Sequence, residues 1–387
     1  MSVTGASGFE ASGVRAGIRK SAPDLALLRS TVPAVGAGMF TSNRVQAAPV
    51  VVSKEHLAAA EPQAVVINSG SANAATGEQG IADARATAAK AAALLGLEPE
   101  QVLVLSTGVI GALLPMPKLL AGLEEAAAGL SPGGGAAAAG AILTTDTKPK
   151  EAAVSRDGFT VGGMAKGAGM IHPVLATMLA VVTTDYPLEP GEAIAFLRPA
   201  VESSFNRISV DGECSTNDAV LLLANGASGI ERTASTDEAF AAALQEVCAD
   251  LAAQIVTDGE GATVLLEISV AGAASEGEAH AIASRIATSS LVKTAAFGRD
   301  ANWGRVLAAA GSATWNGGFA QLDPDRVTLS FNGTPVFAAG APTGSEPELH
   351  GAVCRIELEL GLGAGAAEYL STDLSYEYVR VNAEYRT

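Results

Sequence analysis

One threonine, Thr177, combines features that suit nucleophilic catalysis. It follows the small residue Ala176, precedes the apolar run 178–182, and comes after a glycine-rich stretch that begins near Ala165. A threonine hydroxyl needs a base, and the α-amino group of an N-terminal residue can be that base, because its ordinary pKa is about 7.7–8.0. A chain that cuts itself between Ala176 and Thr177 would gain nucleophile and base on one residue. Taken alone, an Ala-Thr pair is far more often the start of a buried strand.

Acyl transfer by such a threonine passes through a tetrahedral oxyanion, which needs hydrogen-bond donors where the charge develops. Each preorganised donor stabilises the transition state by about 2.7–4 kcal/mol. Thr107 and Gly108 meet this need, because they follow a strand-like run at 101–105 and because glycine lets a backbone N–H approach closely. Taken alone, the pair is also typical of an ordinary turn after a strand.

The segments around these residues show strand and helix patterns. Residues 64–68 and 101–105 are typical of strands, and the alanine-rich run 78–95 between them ends at Gly96, as a helix does. Residues 238–257 carry apolar side chains at steps of three and four, which predicts a helix that ends just before Glu260.

Further runs alternate apolar and polar side chains, at 264–270, 327–331 and 356–360, and predict half-buried strands. The glycine- and alanine-rich run 131–140 is predicted to be a flexible surface connection. The order of elements indicates an α/β or α+β sandwich.

Composition and charge exclude several classes of protein. With 387 residues, 48% of them hydrophobic, the chain is long enough for more than one domain. A net charge of −17 argues against phosphate-mediated binding of nucleic acid. The three cysteines are widely spaced and the four histidines lack ligand-like spacing, which predicts free thiols and no metal. The start of the chain lacks a signal-peptide pattern and the most apolar stretch, 170–182, is too short to span a bilayer, so we expect a cytoplasmic protein with no membrane partner.

Several long motifs resemble those of the ornithine acetyltransferase family, the bifunctional enzymes of the cyclic arginine pathway. They run in family order from about residue 30 to the last residue. They are 105–111 (LSTGVIG), 144–147 (TTDT), 165–178 (AKGAGMIHPVLATM), 205–218 (FNRISVDGECSTND), 258–263 (DGEGAT), 291–305 (LVKTAAFGRDANWGR) and 378–387 (YVRVNAEYRT).

The resemblance implies a role for each candidate residue. Thr177 is the implied nucleophile, Ala176–Thr177 the cleavage site, and Thr107 and Gly108 the oxyanion hole. The implied substrate contacts are Thr144, Lys166, Thr177, Glu260, Asn382 and Thr387. Thr145 and Thr147 remain alternatives to Thr144. Lys166 is implied to hold a substrate carboxylate, and Glu260 to pair with the substrate amine or with the amine of Thr177.

The implied reaction transfers an acetyl group from N-acetylornithine to glutamate through an acetyl-Thr177 intermediate, without a cofactor. The sequence leaves open whether acetyl-CoA also serves as a donor. An N-terminal-nucleophile amidohydrolase or aminopeptidase, in which water is the acceptor, is the alternative enzyme. An uncut binding protein with a structural threonine is the alternative from another class.

The resemblance also implies the architecture. We expect two interlocked α/β domains with helices outside stacked sheets, cut into an α chain of residues 1–176 and a β chain of residues 177–387. The family suggests that two α and two β chains assemble into a heterotetramer.

Overall fold

The chain alternates helices and strands along its whole described length, which comprises residues 2–172 and 178–384 of a computed structural model. In chain order the strands are β1 (Phe9–Val14), β2 (Leu25–Ser30), β3 (Val35–Phe40), β4 (Ala64–Ser71), β5 (Val102–Val109), β6 (Lys150–Arg156), β7 (Phe159–Lys166), β8 (Leu179–Thr184), β9 (Ile208–Ser209), β10 (Ala219–Ala224), β11 (Leu265–Ala273), β12 (Thr314–Trp315), β13 (Gly318–Phe319), β14 (Thr328–Phe331), β15 (Thr334–Ala338), β16 (Ala341–Pro342), β17 (Val353–Glu359) and β18 (Gly365–Thr372). The helices are α1 (Ala48–Ala59), α2 (Gly77–Leu95), α3 (Met116–Ala128), α4 (Gly135–Ala141), α5 (Ala193–Glu202), α6 (Ala234–Thr257), α7 (Glu276–Ala287), α8 (Ser290–Phe297), α9 (Trp303–Ala310) and α10 (Tyr376–Glu384).

Among the described residues the chain divides into two compact units. The first unit comprises 2–206 and 214–255, and the second comprises 207–213 and 256–384. These units are defined by how compactly their residues pack. The predicted α and β fragments are defined instead by a cut of the peptide bond between residues 176 and 177, and they stay a prediction.

Two sheets stack face to face in the first unit. One has the strand order β1-β2-β4-β5 and the other β3-β10-β8-β7-β6. Alternation along β2 shows the layering: Ala26 and Leu28 join the core that also holds Val181 and Leu221 of the second sheet, whereas Leu25 belongs to the core beneath the helices. Burial of both faces explains why these strands are apolar almost throughout.

Helices cover the two outer faces of this stack. Side chains of α2 and α3 pack on the four-stranded sheet. On the five-stranded sheet, Val247 and Leu251 of α6 pack over Gly163 of β7, where a Cβ would lie 2.9 Å from the Leu251 side chain. The first unit is therefore an α/β sandwich, as the sequence pattern predicted, with helices outside stacked sheets, as the family resemblance implied.

By length and composition alone, α6 is apolar enough to cross a membrane, but half of its most apolar stretch is buried inside the protein. Phe240, on the same helix, stacks on Tyr186 with 4.6 Å between ring centroids. Both features are typical of the core helix of a globular protein.

The second unit contains a seven-stranded sheet of order β16-β15-β14-β17-β11-β18-β9. One face packs against α7, α8 and α9, and Ile282 and Ile286 of α7 are fully buried there. The opposite face carries polar side chains such as Glu267 and Glu357. This one-sided burial produces the alternation seen in the sequence.

One prediction about local structure is wrong. The run 131–140 is not simply a flexible surface connection, because Gly135–Ala141 forms α4, in which Ala138, Ala139 and Ala141 are buried. The small residues permit close packing: a Cβ on Gly13 of β1 would lie 2.0 Å from the carbonyl oxygen of Ala137. The glycines and alanines of this run therefore allow two backbones to pack closely and do not make the chain flexible.

Candidate active site

Two parallel strands approach each other unusually closely where Thr107 and Gly108 lie. Gly108 of β5 pairs with Gly70 of β4, and both have positive φ angles, +128° and +108°. A Cβ on Gly108 would lie 2.4 Å from the carbonyl carbon of Gly70, so no larger residue fits this backbone. The turn therefore presents its backbone at a position that only glycine allows.

A buried amide fixes the backbone before this turn. Asn217, in the first unit, donates from Nδ2 to the carbonyl oxygens of Ser106 (2.8 Å) and Ala72 (2.6 Å). Ser106 in turn donates from its hydroxyl to Asn68 Oδ1 at 2.6 Å. These bonds orient the peptide unit that carries the Thr107 N–H and hold the ends of β4 and β5 in register.

Lys166, the last residue of β7, brings its ammonium to two of the predicted site residues. Its Nζ donates to Thr144 Oγ1 at 2.8 Å and to Thr107 Oγ1 at 3.3 Å. Because the Thr107 oxygen accepts this bond, the hydroxyl proton of Thr107 is available to a further acceptor. Lys166 is 7% exposed, so its charge acts in a largely dehydrated setting.

The counter-ion of Lys166 is Asp146, whose side chain is fully buried. Asp146 lies 3.9 Å from Lys166 Nζ and 2.7 Å from Nζ of Lys150, another buried lysine. It also accepts the backbone N–H groups of Gly167 (2.6 Å) and Thr144 (3.0 Å). Burial alone would raise the pKa of Asp146. The charges of the two lysines and the hydrogen bonds from Lys150 and from the Thr144 backbone outweigh burial and hold this pKa well below its usual range.

Arg19 supports the Thr144 segment from the other side. Its guanidinium donates to the carbonyl oxygens of Leu143 (2.7 Å) and Thr144 (3.3 Å). The backbone N–H of Arg19 donates to the buried carboxylate of Asp24, and its side chain crosses over Gly70, where a Cβ would come within 2.8 Å. The loop before β2 thus links the segment of Thr144 to the end of β4.

Two predicted site residues meet in the second unit. Glu260 lies just after α6, as the helical pattern predicted, and its Oε2 accepts a 2.7 Å hydrogen bond from Nδ2 of Asn382 on α10. The Asn382 amide also donates to the carbonyl oxygen of Tyr378. This pairing joins two residues that are 122 positions apart in sequence.

The turn that carries Glu260 is fastened to the start of α10. Gly261 has a φ of +67°, and a Cβ there would lie 2.4 Å from the backbone nitrogen of Tyr378. Ser375 donates to the Gly261 carbonyl at 2.6 Å, and Asp373 accepts the N–H of Thr263 at 2.8 Å. Burial, followed by the nearby Asp211, raises the pKa of the Tyr378 hydroxyl far above its usual value.

The predicted cleavage pair Ala176–Thr177 and the terminal Thr387 lie outside the described residues. Directly after the predicted cleavage pair, Met178 is buried, and Leu179 pairs with Lys166 across the antiparallel β7–β8 ladder. Within 2–172 and 178–384, no group of three or more His, Cys, Asp or Glu side chains is placed to hold a metal ion. The first unit therefore holds Thr107, Gly108, Thr144 and Lys166, and the second holds Glu260 and Asn382.

Sequence reasoning missed the residues that support this site. Asp146, Lys150, Asn217 and Arg19 were assigned no role, although the first and third lie inside the motifs that carried the family resemblance. Asn217 and Lys150 are only 6% and 0% exposed. A polar side chain that is predicted to be buried needs hydrogen-bond partners, and this could have pointed to both residues.

Comparison with known proteins covers nearly the whole chain. The ArgJ family matches residues 10–387. The arginine biosynthesis bifunctional protein ArgJ of Syntrophotalea carbinolica is 49% identical over 98% of this chain and 99% of its own length. That of Mycolicibacterium paratuberculosis is 50% identical over 99% of this chain and 96% of its own.

A solved structure of the ornithine acetyltransferase of Mycobacterium tuberculosis, complexed with ornithine, is 49% identical and covers 45% of this chain and 96% of its own, with a TM-score of 0.45. The assignment is carried by the full-length sequence matches, whose shared residues extend across both compact units. On these matches, the chain belongs to the ArgJ family.

Proposed function

We propose that this acyltransferase of arginine biosynthesis moves an acetyl group from N-acetylornithine to glutamate by way of Thr177. The observation that carries the proposal is the convergence of Lys166, Thr144 and Thr107 through hydrogen bonds of 2.8 and 3.3 Å. This group combines a cation for a substrate carboxylate with a hydroxyl that can donate to an oxyanion. It lies at the end of β7, where the chain enters the segment that contains Thr177.

Maturation is the first step of the proposed mechanism. The Thr177 hydroxyl attacks the carbonyl carbon of Ala176, the peptide C–N bond breaks, and the acyl group passes from nitrogen to oxygen. Water then hydrolyses the ester, which leaves a carboxylate on Ala176 and a free α-amino group on Thr177. That amine has an ordinary pKa near 7.7–8.0 and can act as the base in the later steps.

Acetyl transfer follows in two half-reactions. The Thr177 oxygen attacks the acetyl carbonyl of N-acetylornithine, its proton passes through the Thr177 amine to the leaving nitrogen, and ornithine departs. The amine of glutamate then attacks the acetyl ester, a proton from that amine passes through the Thr177 amine to the Thr177 oxygen, and N-acetylglutamate is released. Both half-reactions develop an oxyanion, which the Thr107 hydroxyl and the Gly108 N–H are suited to stabilise.

Recognition of both substrates by one site needs a local cation, because the net charge of −17 repels anions in general. Lys166 supplies a point charge for the α-carboxylate that the two substrates share. Glu260, Asn382 and Thr387 are the remaining proposed contacts, and the carboxylate of Glu260 suits a substrate amine.

The test of this proposal is a denaturing gel combined with an acetyl-transfer assay. The purified protein should give two fragments, and the second should begin Thr177-Met178-Leu179. Thr177→Ala should give one uncut and inactive chain, and Thr177→Ser should still be cut. An active Thr177→Ala protein would end the proposal.

The identity of the acetyl acceptor is a separate measurement. With N-acetylornithine as donor, we expect N-acetylglutamate to form faster than free acetate. Predominant release of acetate would instead make the protein an amidohydrolase. Supplying acetyl-CoA and glutamate, with no N-acetylornithine present, tests whether acetyl-CoA is a second donor.

A further inference from the structure

One buried side-chain amide joins the two strands that carry the proposed oxyanion hole. The pairing of β4 with β5 is regular along most of its length and shifts at Ser71. There the amide of Asn217 gives one N–H to the carbonyl oxygen of Ala72, just after β4, at 2.6 Å, and the other to the carbonyl oxygen of Ser106, in β5, at 2.8 Å. The amide therefore links the two strands where their ladder becomes irregular.

The hydrogen bonds of this amide use both of its ends. Oδ1 of Asn217 accepts from the Thr216 hydroxyl at 2.6 Å, which fixes the end of the amide that faces the two carbonyl groups. Asn217, Ala72 and Ser106 are all buried. Because a peptide unit is planar, the direction of the Ser106 carbonyl also sets the direction of the Thr107 N–H and the position of the Thr107 Cα.

The segment that carries Asn217 is itself fastened to the end of β3. The Thr41 hydroxyl donates to the carbonyl oxygen of Ser215 at 2.7 Å, and the Thr41 N–H donates to the carbonyl oxygen of Asp218 at 3.0 Å. Asn217 is thus held on both sides along the chain, so its amide has a defined position.

Asn217 follows the proposed cut, whereas both of its acceptors precede the cut. All three residues lie in the first compact unit. Strands β8 and β10 are parallel, and their first residues, Leu179 and Ala219, pair with each other. Asn217 stands two residues before Ala219, as Thr177 stands two residues before Leu179. The turn in one proposed fragment is therefore oriented by a residue of the fragment that carries the proposed nucleophile.

We propose that Asn217 is a positioning residue that directs the Thr107 hydroxyl and the Gly108 N–H towards the acyl carbonyl, without touching the substrate itself. This inference rests on the proposed function, in which those two groups stabilise the oxyanion. Both half-reactions use the same two donors, so loss of the amide should slow both in parallel. In a reaction with an acyl-enzyme intermediate, parallel slowing lowers kcat and leaves both KM values nearly unchanged, because substrate binding is not affected.

The experiment replaces Asn217 by leucine, which has a similar size and no hydrogen-bond donor. Asn217→Leu should lower kcat for acetyl transfer by roughly ten- to a hundredfold, the scale for displacing a reacting group by about 1 Å, with little change in either KM. The kcat value is expressed per cut chain, which a denaturing gel quantifies, so that incomplete maturation is not counted as slow transfer.

Asn225→Leu is the matched control, because Asn225 directly follows β10 and lies at the opposite end of that strand from Asn217. Its amide also donates two hydrogen bonds, to the Ser7 carbonyl oxygen at 3.0 Å and to the Ser30 hydroxyl at 3.1 Å. Asn225→Leu should lower the thermal stability and keep the wild-type kcat.

A double-mutant cycle with Thr107→Ala tests whether Asn217 acts through the proposed oxyanion hole. The double variant should lose less activity than the product of the two single losses, because part of the effect of Asn217 is exerted through Thr107.

A normal kcat in Asn217→Leu, a loss carried by KM alone, or single losses that multiply in the cycle would overturn the inference. If Asn217→Leu does not fold, Asn217→Ala decides the question by the same criteria, because the space that it leaves can admit a water molecule that bonds to both carbonyl groups. A wild type that is uncut or transfers no acetyl group, or a Thr107→Ala variant with a normal kcat, contradicts the proposed function instead, so the two failures are distinguishable.

Discussion

The Thr107 hydroxyl receives a hydrogen bond from Lys166 and can give one to another group. Accepting from Nζ at 3.3 Å occupies an oxygen lone pair and turns the hydroxyl proton away from the lysine. A donor that is oriented before the reaction loses little free energy when the oxyanion forms. At the scale of single residues, the hydrogen bond from Lys166 thus leaves the hydroxyl proton of Thr107 available to another acceptor.

Replacement of Thr107 tests this organisation. Thr107→Ala should lower kcat for acetyl transfer by roughly two to three powers of ten, the usual effect of losing one preorganised donor. KM should change much less, because the donor acts mainly in the transition state. Thr107→Ser keeps the hydroxyl and should retain most of the activity. Steady-state kinetics of the two variants distinguish a catalytic role of Thr107 from a binding role. A normal kcat with a raised KM in Thr107→Ala would make Thr107 a binding residue.

A third buried lysine, Lys293 on α8, gives a prediction about stability and pH. Its Nζ donates to the hydroxyls of Ser371 and Thr372 and to the Thr372 carbonyl. Burial lowers the pKa of Lys293 to about 8, and Asp211 and Asp373 oppose that shift in part. The unfolded chain has a higher lysine pKa, of about 10.4, so it binds more protons between the two values.

Stability should therefore rise with pH across this window, from about pH 8 upward. The free energy of unfolding of the wild type, relative to Lys293→Met, should increase by about 1.4 kcal/mol for each pH unit. Urea unfolding at pH 8.0 and 9.5 measures this difference, with the exposed Lys148→Met as control. Parallel pH dependences of wild type and Lys293→Met would contradict the assignment.

At the scale of elements, glycines at the ends of strands determine how closely the backbones of two neighbouring strands approach each other. Gly108 and Gly70 meet where β5 and β4 end, and each has a backbone that a side chain would strain. Gly111 follows in the same segment with a φ of +82°, but a Cβ there would meet nothing within 4 Å. Gly108 and Gly111 thus both have a positive φ angle, but only Gly108 has neighbouring atoms where a Cβ would lie.

That contrast supplies a matched pair of variants. Gly111→Ala should cost about 1–2 kcal/mol of stability from backbone strain alone. Gly108→Ala adds a clash, because its Cβ would lie 2.4 Å from the Gly70 carbonyl carbon. It should therefore destabilise the protein further and move the proposed oxyanion donor. Thermal unfolding and acetyl-transfer assays should both rank Gly108→Ala below Gly111→Ala. Equal losses of activity would argue against a role for the Gly108 N–H.

Sequence patterns predicted the long elements well and the short contacts poorly. The helices expected at 78–95 and 238–257 occur as Gly77–Leu95 and Ala234–Thr257, because apolar periodicity extends over several turns. The helix α4 was missed, because alanine and glycine have little hydrophobic contrast and its stability comes from packing. Thr107 was proposed as a site residue because of its motif. The part played by Asn217 was not predicted, because the two carbonyl groups to which its amide donates lie more than a hundred positions away.

At the scale of the whole molecule, the proposed cut would divide a sheet rather than separate two domains. In the order β3-β10-β8-β7-β6, strands β10 and β8 follow residue 177, and the other three precede it. The antiparallel pairing of β7 with β8 extends from Val161–Thr184 to Lys166–Leu179. Strands from both sides of the cut thus hydrogen-bond to one another inside a buried sheet.

Coexpression of residues 1–176 and 177–387 as separate chains tests this interleaving. Together the fragments should assemble into a soluble complex. Alone, each should aggregate, because the missing strands leave apolar sheet edges unpaired. Size-exclusion chromatography of the single and paired fragments measures the outcome, with the uncut Thr177→Ala chain as the reference for a folded protein. A soluble, folded fragment 177–387 on its own would contradict the expectation.

The strand β9, only two residues long, has a consequence for the timing of folding during synthesis. Ile208 and Ser209 of β9 pair with Leu370 and Ser371 of β18, so the partner strand is made about 160 residues later. At about 5–20 residues per second, a ribosome needs roughly 8 to 30 seconds to cover that distance. During this interval β9 has no partner strand, and its edge of the seven-stranded sheet does not yet exist. The seven-stranded sheet of the second unit therefore cannot be completed before β18 has been made.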